Sequence, residues 1–131
     1  MLSITKIQNL KLRFIGFVLA FSQDDLDVNM YMKLPIVIDP PGGGKMDYVF
    51  KLKKYLYGIK QASANFFETL KAVLNYRCFE QSNVDTCVFL RKYAIALVYV
   101  HDCIICSKDS QIIEDLVASL KNDLIISSWL L

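Results

Sequence analysis

The sequence predicts an α+β fold, a mainly antiparallel sheet with helices packed on one face. Three observations lead there. Residues 28–34 and 48–52 alternate apolar and polar side chains with the period of a strand. Residues 62–77 and 110–124 instead carry apolar side chains at the three-to-four spacing of an amphipathic helix. Between the two helical segments, two β-branched runs flank the polar pair His101-Asp102, which is the pattern of a hairpin.

In chain order, residues 14–21 form a continuous apolar run, predicted as a buried strand and ended by Gln23-Asp24-Asp25. The run follows Lys11 and Arg13 and ends in Ala20-Phe21-Ser22, the outline of a secretory leader. Its apolar part is short and its charged lead long, so the strand reading is preferred. Val28, Met30, Met32 and Leu34 share one face of the next segment, Asn29, Tyr31 and Lys33 the other, and Pro35 closes it. Asp39-Pro40-Pro41-Gly42-Gly43-Gly44 reads as a connecting loop. Lys45 after it does not make a phosphate loop, because Met46 stands where serine or threonine is needed. Tyr48, Phe50 and Leu52 then face together.

After Tyr57-Gly58 the period changes. Phe66, Phe67, Leu70, Val73 and Leu74 mark one side of a helix over 62–77, with Glu68 and Lys71 toward water. Residues 87–90 are a short strand; 95–100 and 103–106 form the hairpin, with His101 and Asp102 at its tip. Ile112, Leu116, Leu120 and Leu124 repeat every fourth residue, beside Ile113 and Val117. Asp109 or Ser110 caps this helix, and Glu114 and Asp115 suit its early turns. Trp129-Leu130-Leu131 is an apolar tail with no clear partner.

A chain of 131 residues, 54% apolar and 21% charged, suits one domain with a real core. The net charge of +2 says little about partners. The longest apolar candidate, 94–106, is broken by His101-Asp102, so no membrane span is expected. Cys78, Cys87, Cys103 and Cys106 sit in apolar surroundings and read as reduced thiols of an intracellular protein, compartment unspecified. His101, Cys103 and Cys106 do not make a zinc set, since strand alternation splits them and a structural site needs four ligands. Cys103-x-x-Cys106 lies inside a strand, where a redox pair belongs at a helix start. His101 beside Asp102 is no hydrolase triad.

One segment is more specific. Lys51-Leu-Lys-Lys-Tyr-Leu-Tyr-Gly-Ile-Lys-Gln-Ala62 resembles the conserved block of copia-type retrotransposon reverse transcriptases. Three further blocks follow that family's order and spacing. Phe17-Val-Leu-Ala-Phe-Ser-Gln23, with Tyr31-Met-Lys-Leu-Pro35, resembles motif A and its sequel. Phe79-Glu-Gln-Ser-Asn-Val-Asp-Thr-Cys-Val-Phe89 resembles the segment after the motif B helix. Leu97-Val-Tyr-Val-His-Asp-Cys-Ile-Ile-Cys-Ser-Lys-Asp109 resembles motif C, whose family core is Tyr-Val-Asp-Asp. The resemblance implies a partial reverse-transcriptase palm over residues 10–126, flanked by tails 1–9 and 127–131.

It also implies RNA-directed DNA synthesis in the intact family, on an RNA or DNA template-primer. There two Mg2+ ions are held mainly by the motif A aspartate and the first motif C aspartate. Here the first of these positions is Gly16 and the second His101; only Asp102 keeps a carboxylate. Asp24, Asp25 and Asp27 lie past the strand and do not substitute. Phe21 matches the aromatic beneath the sugar, or is simply core, and Gln61 matches a residue near the incoming nucleotide. Ala64 and Phe66 stand where the family has arginine and tryptophan, and Cys78 where it has glycine. The family's fingers segment and its regions after the palm have no counterpart in this sequence. The expectation is an inactive remnant of a mobile element, with no cofactor or metal of its own and weak or absent template-primer binding. Its uncovered face would favour self-association. The alternative is a non-enzymatic α+β binding or interaction protein, secreted if the run at 14–21 serves as a signal.

Overall fold

A computed structural model describes residues 8–42, 44 and 48–130. The elements, in order, are β1 (Lys11–Phe17), α1 (Ala20–Gln23), β2 (Tyr31–Lys33), β3 (Val49–Lys51), α2 (Ala62–Tyr76) and β4 (Glu80–Gln81). Then come β5 (Val88–Arg91), β6 (Ala94–Tyr99), β7 (Asp102–Ser107), α3 (Ser110–Asp123) and β8 (Ile126–Leu130). One sheet of six strands runs in the order β4-β5-β6-β7-β1-β8, and β2 and β3 form a separate pair. Every pairing is antiparallel. β1, α2 and β6 make a crossover with β7 slotted between the strands; β7, α3 and β8 make another around β1. This is the split βαβ arrangement, an α+β fold.

The core lies on one face of the large sheet. Ile15 and Phe17 of β1, Phe89 of β5, Ala96 and Val98 of β6, and Cys103 and Ile105 of β7 are all buried. They join one cluster with Phe66, Leu70 and Leu74 of α2 and Ile113, Leu116, Val117 and Leu120 of α3. The Phe17 and Phe66 rings meet edge to face at 5.2 Å. Both long helices fall where their periodicity predicts them, with Glu68 exposed and Phe67 and Val73 partly buried.

Five expectations need correction. The run at 14–21 is not one strand: β1 starts at Lys11 and ends at Phe17, Leu19 turns the chain at φ 50, and Ala20 and Phe21 are buried in α1. An apolar run alone does not separate strand from helix. The half-buried strand at 28–34 shrinks to Tyr31–Lys33, whose three residues are all exposed, because β2 and β3 lack a covering layer. The hairpin turn is Val100-His101; Asp102 already pairs with Tyr99 as the first residue of β7. The tail at 129 has a partner after all, since β8 pairs with β1 and Trp129 lies opposite Phe14. The short strand at 87–90 moves by one residue, to Val88–Arg91, and gains β4 as a neighbour. Gly43 and Lys45-Met46 fall outside the described residues.

Candidate active site

Gly16 sits near the end of β1, opposite Asp102 of β7 on one side and Ser127 of β8 on the other. The Phe17 amide donates to the His101 carbonyl at 2.9 Å. That bond makes Gly16 and Asp102 a non-hydrogen-bonded pair, the kind in which opposing side chains come closest. Strand alternation turns both residues away from the helices, since their neighbours Ile15 and Cys103 point into the core. Side chains at 16 and 102 would therefore stand together on the open face, with β-carbons roughly 5 Å apart.

His101 completes the group from the turn. Its Nε2 lies 3.8 Å from the Asp102 carboxylate, with both side chains about half exposed. The turn is tight because Val100 holds φ 54, a region where a β-branched residue is strained and glycine is usual. A profile of the family described as reverse transcriptase (RNA-dependent DNA polymerase) matches residues 1–129. The chain belongs to that family.

The similar proteins include the Transposon Ty1-GR3 and Transposon Ty1-OR Gag-Pol polyproteins of Saccharomyces cerevisiae (strain ATCC 204508 / S288c). Each is 34% identical over 103 residues, covering 78% of this chain and 6% of the relative. The Truncated transposon Ty1-A Gag-Pol polyprotein of the same organism is 33% identical over 103 residues, covering 78% of this chain and 8% of its own. The chain thus spans a small part of the length of these relatives. No solved structure matches it. No helix among the described residues is long and apolar enough to cross a membrane.

The reverse-transcriptase fold thus brings Gly16, His101 and Asp102 together, but the residue types do not fit a pair of magnesium ions. Magnesium takes hard oxygen ligands in near-octahedral geometry. The group offers one carboxylate, one imidazole and a bare glycine. Among the described residues no three histidine, cysteine, aspartate or glutamate side chains converge as a metal site. The aspartates beyond β1 are engaged elsewhere. Asp25 pairs with Lys54 at 2.8 Å, and Asp27 accepts from the Tyr55 hydroxyl at 2.5 Å. Asp24 accepts from Thr69 at 3.1 Å, and burial pushes its carboxyl above the usual range.

Phe21 is buried in α1, its ring 4.6 Å from that of Tyr57 and 6.3 Å from that of Phe66. Gln61 stands exposed at the N-terminus of α2. A cleft of about 650 Å³, lined in part by Arg91, Tyr93, Cys106 and Lys108, includes none of Gly16, His101 and Asp102.

Three residues next to the site escape sequence reasoning. Ser127 donates its hydroxyl to the Gly16 carbonyl at 3.2 Å. A β-carbon added to Gly16 would lie 3.1 Å and 3.2 Å from the Trp129 indole and 3.3 Å from Ser127 Oγ. Gln23 ties α1 to the start of β8: its amide donates to Val18 and Ile125 carbonyls at 2.7 Å and 3.1 Å and accepts from the Ile125 amide at 3.0 Å. The signal for Ser127 and Trp129 was the short apolar segment after α3, which marks a strand only once its partner is known.

Proposed function

We propose that this reverse-transcriptase palm derives from a retrotransposon polymerase and does not itself incorporate nucleotides. One observation carries the reading: where Gly16 and Asp102 face each other across β1 and β7, one carboxylate remains, and His101 takes the turn position beside it. In the family's reaction a primer 3′-hydroxyl attacks the α-phosphate of a nucleotide. Two magnesium ions neutralise the attacking and leaving oxygens, and acidic side chains must gather them. A loss of ligation worth even ~5 kcal/mol at the transition state slows such a step more than a thousandfold.

Under this reading Gly16 and His101 stand at catalytic positions that have lost their acids, and Asp102 is the survivor. Phe21 and Gln61 keep the side chains of the nucleotide site without a metal centre to serve. Template-primer binding is weak or absent, and the exposed apolar surface favours self-association. An intracellular setting belongs to the same proposal; the buried thiols of Cys103 and Cys106 support a reducing compartment. Primer extension with magnesium or manganese tests it. No incorporation above a protein-free control is expected, and incorporation above that control would sink the proposal.

A further inference from the structure

We propose that β8 has closed over the missing carboxylate: the Trp129 indole and the Ser127 hydroxyl fill the space that a side chain at residue 16 would take. The inference rests on the reading of Gly16 as a former ligand position, but its steric test needs no catalysis.

Gly16 is not glycine for the sake of its backbone. It is absent from the positive-φ residues, among which Gly42, Gly44 and Gly58 do appear. It lies in a regular strand paired on both sides. What distinguishes the position is room. Carbon–carbon contacts are optimal at about 3.5–4.0 Å. A β-carbon at Gly16 would meet two indole carbons of Trp129 at 3.1 Å and 3.2 Å and Ser127 Oγ at 3.3 Å. Alanine is already tight there. Aspartate would push a carboxylate into the same space, against the edge of the indole whose two facing carbons offer it no donor. Both obstructing side chains belong to β8, which Ser127 fastens further through the Gly16 carbonyl. Trp129 is 58% exposed, so its ring has somewhere to go, and the cost of moving it falls on its packing against β1.

The consequence is a ratchet. Restoring the acid at residue 16 alone does not rebuild a metal site, because the ring over Gly16 must leave as well. A double-substitution cycle on the full chain reads this directly. Gly16→Asp is expected to lower Tm by about 4–8 °C. Trp129→Ala is expected to lower it less, and Gly16→Asp in the Trp129→Ala background to change it by under about 2 °C. Trp129 is the one tryptophan of the chain, so its fluorescence reports its own displacement. A red shift is expected in Gly16→Asp. Should that variant fail to fold, Gly16→Ala keeps the test, with a smaller red shift and a smaller fall in Tm. Additive losses in the cycle, or an unmoved emission in the folded glycine variant, would overturn the proposal. Manganese alone then probes the underlying reading. Water-proton relaxation should show binding by Gly16→Asp/His101→Asp/Trp129→Ala and not by Gly16→Asp/His101→Asp. Steric coupling without manganese binding by the triple variant supports the closure and defeats the polymerase-site reading instead.

Discussion

Cys78 shows how one family departure acts on the structure. It follows α2 in the left-handed region, at φ 61. Its amide donates to Asn75 at 2.9 Å, and the amide of Phe79 to Leu74 at 3.1 Å. These two bonds make the helix stop in which glycine is the usual residue, because any β-carbon there is strained. Cys78→Gly is expected to stabilise the fold by about 1 kcal/mol, read as a higher Tm. The two buried thiols behave differently. Burial pushes Cys103 up to about 12 and Cys106 up to about 11. Both should resist alkylation in the native chain while exposed Cys78 reacts, which mass spectrometry of labelled peptides checks. Asp24 carries a pH signature. Its carboxyl is raised, mainly by burial, so the fold binds this proton more tightly than the unfolded chain does. Its contribution is therefore most favourable in acid and declines as pH rises through the window above its ordinary value of 3.8. Asp24→Asn should flatten that part of the profile and raise stability at neutral pH, measured by melts across the window.

The elements differ in how much of them the sequence could disclose. α3 begins at Asp109, whose side chain accepts from the Gln111 amide at 2.9 Å, and buries Ile113, Leu116, Val117 and Leu120 against the sheet. Asp109→Ala should cost about 1 kcal/mol and Leu120→Ala about 3 kcal/mol or more, compared by denaturant melts. Both helices were legible because each turns one apolar side to the core, so the burial stripe has the helical period itself. The hairpin strands were legible as apolar runs flanking His101-Asp102; Ala94, Ala96 and Val98 alternate with Ile95 and Leu97 in burial but not in residue type. In β2 and β3 the alternation of residue type marks no buried face, so it overstated the length of both strands and the burial of the first. β8 was illegible for a different reason: its partner β1 lies more than a hundred residues earlier, and nothing local announces that pairing. The site divides the same way. Gly16 and His101 could be named directly, as the positions where the resemblance implies acids. That Trp129 stands against Gly16 could not, because it depends on the register between β8 and β1.

At the scale of the molecule the sheet is covered unequally. The helices seal one face, whereas the other carries Leu12, Phe14, Ile95, Leu97 and Ile104, only partly buried, with Tyr99 and Trp129 exposed. Met32 and Phe50 on one face of the β2–β3 pair, and Tyr31 and Val49 on the other, add further exposed apolar side chains. Soluble monomers seldom leave contiguous apolar patches beyond a few hundred Å² uncovered, because water is excluded from such patches whenever two of them meet. The open face includes the edge strand β8, whose segment from Ile126 to Leu130 contains no charged residue and no proline to discourage pairing with another chain. Concentration-dependent self-association is the expected outcome. Sedimentation velocity across a range of concentrations should show it, and higher salt should strengthen it, since burial rather than charge drives it. Leu97→Lys with Ile104→Lys should shift the distribution toward monomer while the core face keeps the fold, because both side chains lie on the face away from α2 and α3. A wild-type chain that stays monomeric at high concentration would show that this face tolerates water, and the case for association would end there.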